Sequence, residues 1–183
     1  MTTMTSIKKT TISAVCIALC CVLPTVFHSV GLGSAFSPMH IPVLLCGLVC
    51  GGGYGAACGL VGPLLSSMIT GMPGPAMLPS MVPELIAYGL ITGLMMKFVR
   101  TGKLTSDLYI ALATAMVLGR VVGGIAKSLL FMGSGEAFTV SLWVSSYFVG
   151  SFPGIVAHLI VIPVLIIMLT KAKMIPSRYN KGA

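Results

Sequence analysis

The stretch 38-PMHIPVLLCGLVCGGGYGAACGLVGPLLS-66 contains two apolar segments that a cluster of glycines separates. The segments extend over about 39–53 and 55–70, and the cluster CGGGYG (50–55) predicts a sharp turn between them. Both segments are short for a helix that crosses a bilayer core, which needs roughly 20 residues. The stretch therefore predicts two antiparallel membrane helices that are tilted or partly re-entrant.

The composition of the whole chain supports a membrane location. Of its 183 residues, 56% are hydrophobic and only 8% are charged, and the mean hydropathy is +1.05. Soluble domains carry about 25% charged residues. With so few charges the chain could not cover its own surface with polar groups, so we expect an integral membrane protein.

The remaining apolar runs predict four further membrane helices, the first of them with a kink at Pro24. The expected fold is therefore all-α, with six transmembrane helices in one compact bundle that forms a single domain over 1–183. The six predicted helices lie at about 10–31, 39–53, 55–70, 80–99, 107–132 and 141–170.

The distribution of basic residues predicts the orientation. Six spans place both termini on one side, together with the turn at 50–55. Cytoplasmic loops carry an excess of Lys and Arg, which indicates cytoplasmic N and C termini and a basic cytoplasmic tail over 171–183. The basic clusters on that side are Lys8–Lys9, 97–103 and 171–181, whereas the opposite connections, at about 32–38, 71–79 and 133–140, contain no Lys or Arg.

Three charged residues lie inside predicted helices and away from the helix ends, where a charge is costly and usually functional. Arg120 and Lys127 are two turns apart on one face of the fifth helix, and Glu84 lies near the start of the fourth. Glu84 and Arg120 could form an ion pair, or either could contact a substrate. Lys127 could contact a substrate or extend its amine to the outer interface.

Polar and aromatic side chains accumulate at the predicted outer end of the bundle. His40 either begins the second helix, contacts a ligand or positions the preceding loop. Ser37 adds a hydroxyl, and Phe36 and Tyr88 could stack against a flat ring. His158, inside the sixth helix, is expected to be a hydrogen-bonded core residue. The six cysteines all lie in apolar segments without a CxxC pair, so we expect them to pack as small apolar residues.

Motifs for chemistry are missing from the sequence. The glycine cluster lacks the GK[ST] ending of a nucleotide-binding loop, and the sequence has no HExxH metal motif and no GxSG nucleophile motif. We therefore predict no catalytic residue, no metal site and no cofactor, and a protein that is not itself an enzyme.

The stretch 38–66, followed by 70-TGMPGPAMLPSMVPELIAYGLITGL-94, resembles the substrate-binding (S) components of energy-coupling factor (ECF) vitamin transporters. The resemblance implies a multi-pass protein of a bacterial plasma membrane that binds a vitamin near the outer side, beneath a lid formed by the first loop. It also implies partners, namely a transmembrane T subunit and two ATPase subunits. Ala14-Val15-Cys16-Ile17-Ala18 matches the A-x-x-x-A motif with which the first helix of such proteins contacts the T subunit.

The resulting hypothesis is a high-affinity subunit that captures a vitamin or vitamin precursor, without binding nucleic acid. The substrate stays open among pantothenate, a cobalamin precursor and a pyrimidine or pyridoxine-like compound. The alternatives are a self-sufficient secondary carrier for a small organic solute or, less favoured, an intramembrane enzyme. The candidate substrate-binding residues are Phe36, Ser37, His40, Glu84, Tyr88, Arg120 and Lys127, and the candidate docking residues are Ala14 and Ala18.

Overall fold

The computed structural model describes residues 4–29, 31, 36–134 and 140–175, and this part of the chain contains helices and no strand. The helices pack side by side. In chain order they are α1 (Ser6–Ser29), α2 (His40–Cys50), α3 (Gly52–Thr70), α4 (Leu78–Phe98), α5 (Leu104–Ser134), α6 (Val140–Val144), a π-helical turn (Ser145–Val149) and α7 (Phe152–Lys171).

Five of these helices are long and apolar enough to cross a membrane: α1, α3, α4, α7 and the Leu104–Phe131 part of α5. The sixth apolar helix, α2, has 11 residues and spans only about 16 Å at 1.5 Å per residue. The prediction of an all-helical membrane protein is therefore confirmed. The number of complete spans and the cytoplasmic position of the termini remain predictions.

The helix bounds lie close to the predicted ones for the first five helices, and the largest difference is at the start of α1 (residue 6 rather than about 10). The segment predicted as one helix over about 141–170 is instead divided. A π-helical turn follows Val144, and Gly150 and Ser151 separate that turn from α7. Pro153 lies in the first turn of α7, a position where its missing N–H costs no helical hydrogen bond. Most of the predicted tail, 176–183, lies outside the described residues.

Close backbone contact holds α3 against α4. A Cβ atom added at Gly89 would meet the backbone of Gly55, and one added at Gly59 would meet the carbonyl of Leu85. Small residues that recur every four positions allow helices to approach this closely in membranes. Gly55, Gly59 and Gly89 therefore serve internal packing.

Two features at one end of the bundle fix its connections. Gly51 has a φ of 100°, which favours glycine, and it turns α2 directly into α3. Asp107, which is fully buried, accepts hydrogen bonds at Oδ1 from the Thr101 backbone N–H (2.8 Å) and the Thr101 hydroxyl (2.7 Å). The turn and the α4–α5 connection thus lie at the end of the bundle opposite to the starts of α2 and α4.

The first helix has one buried and one exposed face. Its buried face packs against α2 and α3, and the Ser13 Oγ atom lies 3.4 Å from the Cys46 Sγ atom. Ala14 and Ala18 lie on the exposed face. Five of the six cysteines are buried, in agreement with their predicted role as small apolar residues: Cys16, Cys20, Cys46, Cys50 and Cys58.

Candidate functional site

A partly open cavity of about 620 Å³ lies at the end of the bundle where α1 ends and α2 and α4 begin. Its volume falls within the range of about 300–1,000 Å³ that small-molecule pockets occupy. The lining residues come from α1, the segment before α2, the start of α2, the α3–α4 connection, α4, α5 and the segment before α7. They are Pro24, His28, Ser37, Pro38, Met39, His40, Met72, Pro73, Gly74, Met77, Ser80, Met81, Glu84, Arg120, Lys127, Tyr147, Gly150 and Ser151.

A buried chain of polar contacts connects α4 to α5 at this cavity. The Tyr88 hydroxyl donates a hydrogen bond to Glu84 Oε1 (2.9 Å) and accepts one from Arg120 Nε (3.2 Å). All three side chains are buried, with exposed fractions of 1% for Tyr88, 7% for Glu84 and 4% for Arg120. The tyrosine hydroxyl therefore links the carboxylate to the guanidinium and holds the two charges in a fixed arrangement.

His40 extends this chain to the start of α2. Its Nε2 atom lies 3.6 Å from Glu84 Oε1, which is an electrostatic contact too long for a hydrogen bond. Its Nδ1 atom lies 3.1 Å from the Ser37 carbonyl oxygen, and because a carbonyl only accepts, Nδ1–H donates there. The ring also packs edge-on against Tyr88, with centroids 5.1 Å apart. His40 thus ties the start of α2 to the polar chain.

His158 of α7 stacks on His40, with ring centroids 5.8 Å apart and an interplanar angle of 27°. It is buried, as expected for a core residue. Among the described residues, however, neither of its ring nitrogens has a hydrogen-bond partner of good geometry. The expected internal hydrogen bond is therefore replaced by ring stacking.

Glycines on α5 make room for these side chains. A Cβ atom at Gly119 would collide with the Tyr88 ring, and one at Gly123 would collide with the Glu84 side chain. A Cβ atom at Gly124 would collide with the Trp143 indole, whose Nε1–H donates to the Arg120 carbonyl oxygen (3.2 Å). The small residues of α5 therefore allow a carboxylate and a phenol to pack directly against the helix that carries Arg120.

Lys127 lies at the part of the cavity nearer the C-terminal end of α5. Its Nζ atom is 5.7 Å from the centroid of the Tyr147 ring, within the range of a cation–π contact. Tyr147 belongs to the π-helical turn, and such turns are frequent at functional sites. The turn therefore brings an aromatic ring to the cavity beside a lysine.

Another part of the cavity lining is apolar. Four methionines contribute to it: Met39 is buried before α2, Met72 lies in the α3–α4 connection, and Met77 and Met81 lie at the start of α4. Methionine is flexible and polarizable, so it adapts to the shape of an apolar or aromatic group. The cavity thus combines an adaptable apolar surface with a fixed polar one.

Five of the seven predicted substrate-binding residues line the cavity. Tyr88 is not among the lining residues but contacts Glu84 and Arg120, and Phe36 packs against Phe27 with ring centroids 6.0 Å apart. Met77, Ser80 and Met81 also line the cavity and were not predicted, although their spacing places them on the same side of the start of α4 as Glu84. The i, i+3, i+4 and i+7 spacing before Glu84 would have identified them. The five lining residues are Ser37, His40, Glu84, Arg120 and Lys127.

The arrangement suits recognition of a small molecule. Arg120 and Lys127 supply positive charge, Glu84 supplies negative charge, and hydroxyl and imidazole groups supply hydrogen bonds. In the described part of the chain no group of three or more His, Cys, Asp or Glu side chains is arranged to hold a metal ion.

Comparison with known proteins yields one match. The family model described as "ECF transporter, substrate-specific component" matches residues 8–170, which is most of the chain. No curated protein and no solved structure matches the sequence.

Proposed function

Because the chain belongs to the family of ECF transporter substrate-specific components, we propose that it captures a vitamin or vitamin precursor in the cavity between α1, α2, α4 and α5. The observation that carries this proposal is the combination of a 620 Å³ cavity with the buried chain His40–Glu84–Tyr88–Arg120. Buried charges in a membrane protein are costly and are retained where they serve a function. The candidate substrates are pantothenate, a cobalamin precursor and a pyrimidine or pyridoxine-like compound.

The family implies a membrane protein that takes a small-molecule substrate and associates with ECF T and ATPase subunits. We assign the T-subunit contact to α1, because Ala14 and Ala18 lie on its exposed face and small residues let another helix approach closely. The membrane is a bacterial plasma membrane, and the substrate enters from the outer side. Both termini and the basic tail are cytoplasmic in this proposal, which follows the distribution of Lys and Arg.

Reconstituted transport tests the proposal. The purified chain, alone or with a T subunit and two ATPase subunits, is placed in liposomes with ATP inside or outside, and uptake of labelled candidate vitamins is measured. Accumulation is expected only when the partner subunits and ATP are present. Accumulation by the chain alone would instead establish a self-sufficient carrier and refute the proposal.

Ligand capture is tested separately by thermal unfolding of the purified chain with a panel of vitamins and precursors. A ligand at 100 times its Kd stabilises the folded state by about 2.7 kcal/mol, so a true ligand raises the melting temperature in a saturable way. Arg120→Ala is expected to abolish the shift. An unchanged shift in a folded Arg120→Ala variant would place the ligand outside this cavity.

A further inference from the structure

Two side chains that face each other at the cavity indicate which hydrogen-bonding group the ligand carries. We infer that His40 and Glu84 form a pair of hydrogen-bond acceptors that binds a primary amino group of the ligand: an amine, the amino group of an aminopyrimidine or a primary amide. The inference rests on the proposed function, because it concerns the substrate of the same cavity. It distinguishes among the candidate substrates, since an aminopyrimidine carries such a group and pantothenate does not.

The first step is the position of the ring hydrogen on His40. Its Nδ1 atom lies 3.1 Å from the Ser37 carbonyl oxygen, which can only accept, so the hydrogen is on Nδ1. The same carbonyl accepts from the His40 backbone N–H (3.0 Å), and Ser37 has a φ of 44°, which non-glycine residues adopt rarely. In a neutral imidazole the second nitrogen is then an acceptor. His40 Nε2 therefore has a lone pair to offer.

The separation of His40 and Glu84 supports a neutral ring. A doubly protonated His40 would donate to the Glu84 carboxylate, and charge-assisted hydrogen bonds of this kind measure about 2.7–2.9 Å. The Nε2 and Oε1 atoms are instead 3.6 Å apart, although both side chains are buried. Ring contacts with Tyr88 and His158 hold the imidazole in this orientation. Two acceptor atoms therefore face each other where α2 and α4 begin.

Glu84 can accept further hydrogen bonds. An ionised carboxylate has about four lone-pair positions on its two oxygens. Among the described residues, the Tyr88 hydroxyl is the hydrogen-bond donor that reaches this carboxylate, at Oε1 (2.9 Å). Because His40 and Glu84 both line the cavity, a ligand can reach the junction between them.

One ligand nitrogen can satisfy both acceptors. Since Nε2 and Oε1 are 3.6 Å apart, a single atom can lie about 2.9 Å from each of them. A primary amino group has at least two hydrogens and donates to both acceptors at once, whereas a hydroxyl group has one hydrogen. A carbonyl or carboxylate oxygen in this place would face two acceptors without a hydrogen between them and leave both unpaired, which is costly in a buried site. The pair therefore selects an amino group over a hydroxyl or carbonyl group.

Matched pairs of compounds test the inference directly. Each pair keeps the ring and replaces the amino group: 4-amino-5-hydroxymethyl-2-methylpyrimidine and its 4-oxo analogue, pyridoxamine and pyridoxine, nicotinamide and methyl nicotinate. Affinities are measured by thermal shift and calorimetry on the purified full chain. In at least one pair the amino member is expected to bind at least about tenfold more tightly than its partner. Binding without any preference for the amino member would overturn the inference and leave the proposed function standing.

Replacing Glu84 by glutamine changes what the pair recognises. Glu84→Gln keeps the size of the side chain and an oxygen for the Tyr88 hydroxyl, while its amide nitrogen donates instead of accepting. The amino member is expected to bind at least about tenfold less tightly, and its oxygen-bearing partner to bind as well as before or better. Asp107→Asn, the same exchange at the opposite end of the bundle, is the matched control and should leave the preference unchanged. A Glu84→Gln variant that keeps the full preference would refute the inference.

Replacing His40 by phenylalanine removes the second acceptor but keeps a flat ring against Tyr88 and His158. His40→Phe is expected to reduce the preference for the amino member. His158→Phe also keeps a stacked pair of rings and should retain the preference, because His158 is not among the lining residues. Equal losses in both variants would mean that ring packing sets the affinity, which would refute the role of His40.

Nitrogen NMR of the chain with labelled imidazoles measures the premise itself, with His40→Phe to assign the signal. An Nε2 without hydrogen is expected in His40 at neutral pH. A doubly protonated His40 would overturn the inference, and this readout does not depend on any ligand.

Native mass spectrometry of the chain purified from expressing cells separates the inference from the proposed function. A bound compound that has a primary amino group but is not a vitamin or precursor would support the inference and refute the vitamin assignment. A bound vitamin without such a group would do the reverse. A chain that carries no small molecule and responds to no compound of the panel would count against both proposals.

Discussion

Replacing Tyr88 by phenylalanine tests the central contact of the site. The hydroxyl is the only group that the substitution removes, and it donates to Glu84 Oε1 at 2.9 Å and accepts from Arg120 Nε at 3.2 Å. Both partners are charged residues that are less than a tenth exposed. Tyr88→Phe therefore deprives two buried charges of a hydrogen bond without changing the size of the ring.

The expected loss of stability follows from these two contacts. Hydrogen bonds to charged groups contribute about 1.5–3 kcal/mol each in soluble proteins, but coupling energies inside membrane proteins average about 0.6 and reach about 1.7 kcal/mol. The two contacts together should therefore be worth about 2 kcal/mol. For a chain of this length that corresponds to a fall of about 4–8 °C in melting temperature.

Unfolding of the purified protein in detergent, followed by heat or denaturant, measures the change. Tyr109→Phe is the matched control, since Tyr109 is 47% exposed and its substitution should be nearly neutral. A double-mutant cycle with Glu84→Gln should give a coupling energy of at least about 1 kcal/mol. If Tyr88→Phe costs no more than Tyr109→Phe, the hydroxyl does not hold the two charges and the description of the site is wrong.

Three further predictions concern other parts of the fold. Gly89→Ala forces a Cβ atom against the Gly55 backbone and should lower the free energy of unfolding by about 1–3 kcal/mol in the same unfolding assay. Asp107→Ala removes the acceptor for two hydrogen bonds from Thr101 and should cost about 1–3 kcal/mol, with more rapid hydrogen exchange at residues 99–103. Ala18→Trp should leave ligand affinity unchanged but reduce uptake in liposomes that contain the partner subunits, because the bulky ring blocks close helix approach.

Each of these predictions has a matched control. Gly53→Ala adds a Cβ atom into open space within α3 and should raise stability by about 0.5–1 kcal/mol, and a loss there would contradict the packing argument for Gly89. Asp107→Asn keeps an acceptor oxygen and should cost less than Asp107→Ala. Ile160→Trp places the same side chain on the exposed side of α7 and should leave uptake intact, so equal inhibition by both tryptophans would argue against docking through Ala18.

The sequence was sufficient to predict most of the fold, because the apolar segments, their lengths and the glycines at turns are local signals. The turn at Gly51 and the helices on either side of it follow from such signals, and five predicted site residues meet in one cavity because antiparallel helices return to the same end. The break between Val144 and α7 was not predicted. The segment 145-SSYFVGS-151 contains three serines and a glycine, which are signals for a break, but they lie within an apolar run of about 30 residues that favoured a continuous helix.

The geometry inside the site depends on helix rotation, which hydrophobicity alone does not determine in a membrane chain. Glu84 and Arg120 were candidates for a direct ion pair, but the Tyr88 hydroxyl lies between them. Tyr88 is one turn after Glu84, so the contact between these two follows from helical spacing. The approach of Arg120 depends on Gly119 and Gly123, whose missing side chains bring α5 close enough.

The contact between α3 and α4 lies apart from the cavity, so substitutions in the two places should affect different properties of the protein. Its glycines, Gly55, Gly59 and Gly89, are not among the lining residues of the described cavity. A saturation mutagenesis library selected only for membrane expression should therefore reject nearly every substitution at these positions yet accept many at Met77 or Lys127. Selection for uptake of one substrate should then restrict the substitutions that are accepted at Met77 and Lys127. Architecture and ligand preference can thus be altered separately at these positions, whereas Gly119 and Gly123, which make room for Tyr88 and Glu84, serve both.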